Sequence, residues 1–352
     1  MVLTLIINRP NVDGVTTSKL VLPAILVAAA LALSGCSAAT SGSAGGSGGS
    51  SGELTVVATT TQVADLTRNV VGDTSGVSLT QLVQPNQSAH AYDPSAADLT
   101  ALGRADVLVI NGVGLEEWLT DAIDASGFRG VTIESDTGIT IAADAAGNDE
   151  TAPRGDATQD NAGGNPHIWT DVANAEAMVR TIETGLGAAS PRHADAFAAN
   201  AAAYGAKLEE LDAWIRANVA QVPAGQRLLV SNHDAFGYFT TAYGITYVGS
   251  VIPSFDDNAE PSAAAIDRLV AAIKATGVKA VFSEASINPK AADTIATQAG
   301  VAVYSGADAL YGDSLGPAGS DGATYIASQL HNVRLILRSW GVTPSAIPAD
   351  LQ

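Results

Sequence analysis

The sequence has little of what most readily staples a chain or draws it to a polyanion. There is one cysteine, Cys36, in 352 residues, so no disulfide can form within the chain. Basic residues number 17 against 36 acidic ones, for a formal charge of −19. That shortage excludes the clustered basic surface that nucleic acid selects and a polybasic patch for anionic lipid. Aromatics make up only 5% of the chain. With so few cations beside them, they leave little to line the roomy cleft that a siderophore or other organic ligand needs. No HExxH occurs, which removes the simplest signature of a zinc hydrolase. Gly112 and Gly114 in "NGVGLEE" give GxG alone, with Glu117 where a dinucleotide loop has its third glycine. That stretch reads as an ordinary strand-to-helix turn. No repeat of 20–50 residues is present.

What is there begins with the surroundings of Cys36. The apolar run "LVLPAILVAAALAL" (20–33) follows Arg9 and Lys19, and at 14 residues it is short for a membrane span. It suits the apolar segment of a secretory signal. "LSGC" comes directly after it and resembles the lipobox of bacterial lipoproteins, in which the cysteine is lipidated and becomes the mature N-terminus. Residues 1–35 are therefore expected to be a signal peptide, and 36–52 a lipidated Cys36 with a Gly/Ser tether. Loss of 1–35 takes away Arg9, Lys19 and Asp13, a net +1, so −19 becomes −20.

From Glu53 strand-like and helix-like segments alternate. "LTVVATT", "VSLTQLV" and "DVLVING" read as buried strands, with helices in "QVADLTRNVVG", in "PSAADLTALGRA" with Pro94 in its first helical position, and in "LEEWLTDAIDASG". Residues 142–165 interrupt this rhythm with five acids, one Arg and almost no large apolar residue, and read as a mobile acidic surface loop. The stretch 190–222 then opens with Ser190 as cap and Pro191 behind it. Phe197, Tyr204, Leu208, Leu211 and Ile215 recur along one face of it. About thirty residues at 1.5 Å each make a helix roughly 45 Å long. Beyond it "RLLVS", "ITYVGSV", "KAVFSE" and "VAVYSG" repeat the strand–helix pattern. The expected fold is thus α/β, with two (β/α) lobes, 53–189 and 223–352, each a mostly parallel sheet flanked by helices, joined by one long rigid connecting helix.

Ligands of open α/β sheets sit beyond the carboxyl ends of the strands. Three of the five histidines, His90, His167 and His233, fall in turns that lead into helices, and Asp313 follows the last strand. His193 and His331 fall inside helices among polar neighbours and read as solvated. Taken singly, each of the first three serves equally well as a cap or a loop hydrogen-bonder. Together with Asp313 they make a set that Zn²⁺ accepts in a four-coordinate site, whereas Mn²⁺ prefers more oxygen.

Five stretches, "HAYDPSAADLTALGRADVLVINGVGLEEWL", "NPHIWTDVANA", "SNHDAFGYFTTAYGI", "VFSEASINPKAADTIA" and "LYGDSLGPAGSDGATYI", resemble the successive signature blocks of the metal-binding solute-binding proteins of bacterial ABC transporters. The resemblance runs from about Leu54 to Trp340. It implies capture of zinc or manganese (iron as a further alternative) for an ABC permease and its ATPase, by an extracytoplasmic protein without enzymatic activity. It places the metal ligands on His90, His167, His233 and Asp313, with Glu284 as a supporting residue, and the nearby acid Asp234 would soften the charge of the site. Histidine rather than glutamate at the third position leans towards Zn²⁺. Some zinc importers carry a His-rich loop before the second ligand, and here that loop, 142–165, has no histidine. With two ligands from each half, the ion would bridge the lobes, and binding would weaken as pH falls below the histidine pKa of about 6.5. A monomer is expected, held to the cell membrane by its lipid. An adhesin role is compatible with such an anchor, but nothing in the sequence argues for it separately. A secreted zinc hydrolase is the rival reading. It would need an open coordination position, which four protein ligands fill.

Overall fold

Runs of β-branched and apolar residues build the first sheet around β1 (Leu54–Ala58), in which every residue but Thr55 is buried. The protein is described by a computed structural model that covers residues 52–142 and 164–352. The expected signal segment, Cys36 with its tether, and nearly all of the expected acidic loop lie outside the described residues. β2 (Val77–Gln81), β3 (Val107–Ile110) and β4 (Val131–Glu134) complete a four-stranded parallel sheet in the order β2-β1-β3-β4. β4 was not expected from the sequence. It is an edge strand of four residues with only Ile133 buried, too short and too exposed to declare itself by pattern.

The first two helices of this lobe start where side chains can satisfy their free N–H groups. Thr60 accepts from Val63 N to begin α1 (Thr61–Val71). α2 (Ala96–Arg104) begins later than expected. Ser95 is its cap, in a reciprocal capping box with Asp98, so Pro94 stands before the helix rather than in its first turn. α3 (Leu119–Ser126) also starts late, because Glu116 folds back instead of joining it. Its carboxylate accepts from Thr59 Oγ1 at 2.6 Å and from Asn111 N at 2.7 Å, beneath a turn in which Gly112, Val113 and Gly114 all have positive φ.

α4 (Val172–Ala189) is capped by Asp171. A single 3-10 turn (Pro191–His193) then leads into α5 (Ala194–Val219), the long connecting helix. Its 26 residues span about 39 Å. Phe197, Tyr204, Leu208, Leu211 and Ile215 are buried as the spacing predicted. Asn218 ends the buried face by binding Trp214 O and the Ser345 hydroxyl, which fastens the C-terminal tail.

The second lobe contains β5 (Leu228–His233), α6 (Gly237–Tyr243), β6 (Thr246–Ile252), α7 (Ala263–Thr276), β7 (Ala280–Phe282), α8 (Lys290–Ala299), β8 (Ala302–Tyr304) and α9 (Tyr325–Ser339). All pairings are parallel, but the backbone ladder is split into β5-β6 and β7-β8. At the seam, the N–H of His233 goes to the Glu284 carboxylate at 3.1 Å rather than to a neighbouring strand. The largest apolar cluster ignores the lobe boundary. It runs from Val56 and Leu66 through Met178 and Leu208 to Phe239, Leu310 and Leu337. No helix among the described residues is long and apolar enough to cross a membrane.

Leu208 is fully buried midway along α5. Leu208→Ala should lower the unfolding free energy by about 2–5 kcal/mol, whereas Ala at the neighbouring Lys207 should change it by less than about 0.5 kcal/mol. Urea denaturation of the two variants checks this, and equal midpoints would mean that α5 is not packed as described.

Candidate metal centre

The site is assembled from four chain segments at the carboxyl ends of the sheets. His90 lies in the loop between β2 and α2, where the Ser88 hydroxyl accepts from His90 N at 3.2 Å. His167 precedes a 3-10 turn ahead of α4 and is fully buried. His233 is the last residue of β5, and Asp313 sits in the loop after β8, both buried. One ligand atom from each of the four lies within 4.8 Å of all the others. The cluster therefore unites the four residues the sequence singled out as a set.

The orientation of two imidazoles follows from their partners. Asn165 Oδ1 accepts from His167 N at 3.0 Å, so that atom is an oxygen, and it lies 2.8 Å from His167 Nδ1. The ring proton is thus on Nδ1, and Nε2 presents its lone pair to the cluster. Glu284 does the same for His233: Oε1 accepts from its backbone N at 3.1 Å and its Nδ1 at 2.6 Å. Glu284 has room to do so because residue 312 is glycine. A Cβ there would stand 1.9 Å from Glu284 Oε2.

On the inner side, imidazole nitrogens and carboxylate oxygens converge. His167 Nε2 lies 3.4 Å from His90 Nε2 and 3.3 Å from His233 Nε2. Asp313 Oδ2 lies 3.3 Å from His90 Nε2 and 3.0 Å from His233 Nε2, with Oδ1 3.2 Å from His167 Nε2. Four ligands around a tetrahedral Zn²⁺ at about 2.0–2.1 Å stand about 3.3 Å apart, and the five separations above, 3.0–3.4 Å, are of that order. Both carboxylate oxygens of Asp313 are turned towards imidazoles, which makes five donor atoms in all.

The charges agree. Burial drives the His167 imidazole down to about 4, against the pull of Asp313. Burial works the same way on His233, but the carboxylates of Asp313 and Glu284 outweigh it and hold that ring well above its usual range. His90 is also raised, with Asp313 overcoming burial. Asp313 is itself held well below the usual carboxylate range by the imidazoles, despite burial.

The remaining histidines and acids fall elsewhere. His331 is a correction: it is buried, with Nε2 2.9 Å from Ala309 O, because the polar-looking face of α9 packs against the loop after β8. His193 is half-buried at the start of α5 beside Ser190, in a 3-10 turn rather than inside the helix. Asp234 is buried near Tyr247, whose hydroxyl is pushed well above its usual range by burial and then by Asp234. The four-residue cluster does not include it. The residues that sequence reasoning passed over are Asn165, which stands inside the "NPH" stretch, and the groups that hold the Asp313 loop. Gly312 O accepts from Gln62 Nε2 at 2.9 Å and Trp169 Nε1 at 3.2 Å. Leu315 N donates to Thr61 Oγ1, and Asn86 N to Ser314 Oγ. The loop that follows the last strand of the second lobe is thus stitched to the first.

Comparison with known proteins follows the same lines. The family described as zinc-uptake complex component A, periplasmic, matches residues 56–339. The manganese-binding lipoprotein MntA of Halalkalibacterium halodurans is 33% identical over 282 residues, 80% of this chain and 86% of the relative. The zinc-binding protein TroA of Treponema pallidum is 31% identical over 285 residues, covering 80% of this chain and 87% of its own. The solved structure of the periplasmic zinc-binding TroA superposes with a TM-score of 0.71 over 82% of this chain and 99% of that one, at 27% identity.

Two outcomes test the site. Glu284→Gln and Gly312→Ala should each weaken metal binding by about 10–100-fold by disturbing the ring of His233, measured by competition with a chelating dye. Unchanged affinity in both would contradict the orienting role. Metal also needs the unprotonated Nε2 of each ring. His167, lowered to about 4, has no proton to lose near neutrality, whereas His90 and His233 are raised and must shed theirs. Affinity should therefore fall with falling pH, beginning above pH 6.5, with protons released on binding. Calorimetry in buffers of different ionisation heat reads that release directly.

Proposed function

The chain belongs to the zinc-uptake complex component A family, the metal-binding solute-binding proteins of bacterial ABC importers, and on that premise we propose that it captures Zn²⁺ between its lobes and hands it to a permease driven by an ATPase. The ligands are His90, His167, His233 and Asp313, with Glu284 and Asn165 fixing the rings of His233 and His167. The lobes are 53–189 and 223–352, and the protein works as a monomer held to the cell membrane through lipidated Cys36. Membership of a transport family leaves the hydrolase reading without support, and nothing in the relatives' descriptions speaks for adhesion.

The observation that carries the zinc reading is the third nitrogen. His233 completes a three-imidazole, one-carboxylate set whose ligand atoms lie within 4.8 Å of one another, and nitrogen-rich sets suit Zn²⁺ better than Mn²⁺. Manganese is the second reading, and two observations favour it. The relative at 33% identity is named for manganese. Both Asp313 oxygens face the cluster, which gives a five-donor set of the kind a larger, more oxygen-seeking ion uses.

Elemental analysis of the soluble protein from residue 37 onward, beside His233→Glu, separates these readings. Wild type is expected to retain one equivalent of zinc, and the variant to shift its preference towards manganese by at least about tenfold. Retention of manganese alone by wild type would overturn the zinc assignment. Retention of neither metal would overturn the function.

A further inference from the structure

Three of the four ligand side chains are completely enclosed, and that of His90 is the most exposed at 9%. His90 is thus the ligand nearest to solvent. The loop carrying His90 borders a cavity of about 540 Å³ in the second lobe, formed by the segment after β6, the N-terminal part of α8 and Ser88. Ser88 joins the two features. Its hydroxyl accepts from His90 N and Ala91 N, and donates to Asp257 Oδ1 on the cavity wall at 2.7 Å.

The lining is built for a polar occupant. Asn232, which precedes the ligand His233, lines the cavity at 1% exposure, and neither its side-chain nitrogen nor its oxygen has a hydrogen-bond partner. Ser286 Oγ on the same wall is also buried and unpartnered. Such groups are costly to enclose unless something binds them. Two carboxylates, Asp257 and Glu260, line the same space, and the one cation among the lining residues is Lys290, at the start of α8. The acids do not belong to the four-residue cluster that could hold a bare ion. The cavity has room for a cation that keeps its water shell, which amide and hydroxyl groups can bind through that water.

We propose that this cavity is the vestibule of the metal centre, where a hydrated divalent cation is held between Asp257, Glu260 and Asn232 before it passes His90 and exchanges water for imidazole. The proposal rests on the reading of the cluster as a metal site and assigns it a route. The vestibule concentrates cations electrostatically, so its charges act on the rate of capture. Neutralising an acid slows capture, and neutralising Lys290 speeds it. Each change should be about two- to fivefold at low ionic strength and should vanish in high salt, where charges a Debye length apart are screened.

The test is stopped-flow mixing of the full-length protein in detergent with Zn²⁺, and separately Mn²⁺, read by the change in tryptophan emission, to which Trp169 contributes with its ring 5.4 Å from that of His167. Glu260→Gln is expected to lower the association rate and Lys290→Gln to raise it, with metal content at saturation unchanged in both. Opposite signs for acid and base exclude a merely structural effect, and circular dichroism confirms that each variant is folded. Association rates that are equal in all variants, or that shift in the same direction, would overturn the vestibule while leaving the metal site standing. A wild type that takes up no metal would overturn the underlying reading instead.

Discussion

The structure depends on one electrostatic arrangement: three imidazole nitrogens and a carboxylate aimed at a common point. Such a convergence repels itself unless something positive sits at the centre. A proton between His233 and Asp313 is the weaker solution, and a divalent ion is the stronger one. Holding the convergence requires supports on the outer side. Asn165 and Glu284 each bind a backbone N–H and a ring N–H of the same histidine, which fixes ring and main chain together. Gly312 leaves the space that the Glu284 carboxylate fills.

One of these supports sits at an irregularity in the fold. The second lobe holds four parallel strands, yet its hydrogen-bond ladder breaks between β5 and β7. The break coincides with Glu284, whose carboxylate takes the N–H at the end of β5. At the carboxyl end of β5 a side chain thus takes a backbone N–H that a neighbouring strand would otherwise bind.

Much of this was legible in the chain. Strand ends, Pro and Gly punctuation and the scarcity of histidine were enough to gather His90, His167, His233 and Asp313 as a set, because ligands of open α/β sheets sit beyond the carboxyl ends of the strands. The long periodic face of α5 was equally plain. What escaped had physical causes. β4 buries a single side chain, so it has no pattern to read. Glu116 looks like the first turn of a helix but is drawn away by Thr59 and Asn111, contacts more than fifty residues off in the first case. His331 has polar neighbours in sequence, yet its surroundings are set by a loop from elsewhere in the chain. The use of both Asp313 oxygens is a matter of side-chain rotation, on which sequence is silent.

The allegiance of Asp313 changes the picture of two ligands from each half. By chain order it belongs to the second lobe, but from Gly312 to Leu315 its loop is bound to Gln62, Trp169, Asn86 and Thr61. The crossing point is narrow, since Tyr311 is still held by Asn332 of α9. His90, His167 and Asp313 therefore form a tripod on one side, and His233 with Glu284 is a single arm reaching across from the other. A parting of the lobes along that seam would withdraw the arm and leave the cargo resting in a three-point cup, open on the face that the arm had covered.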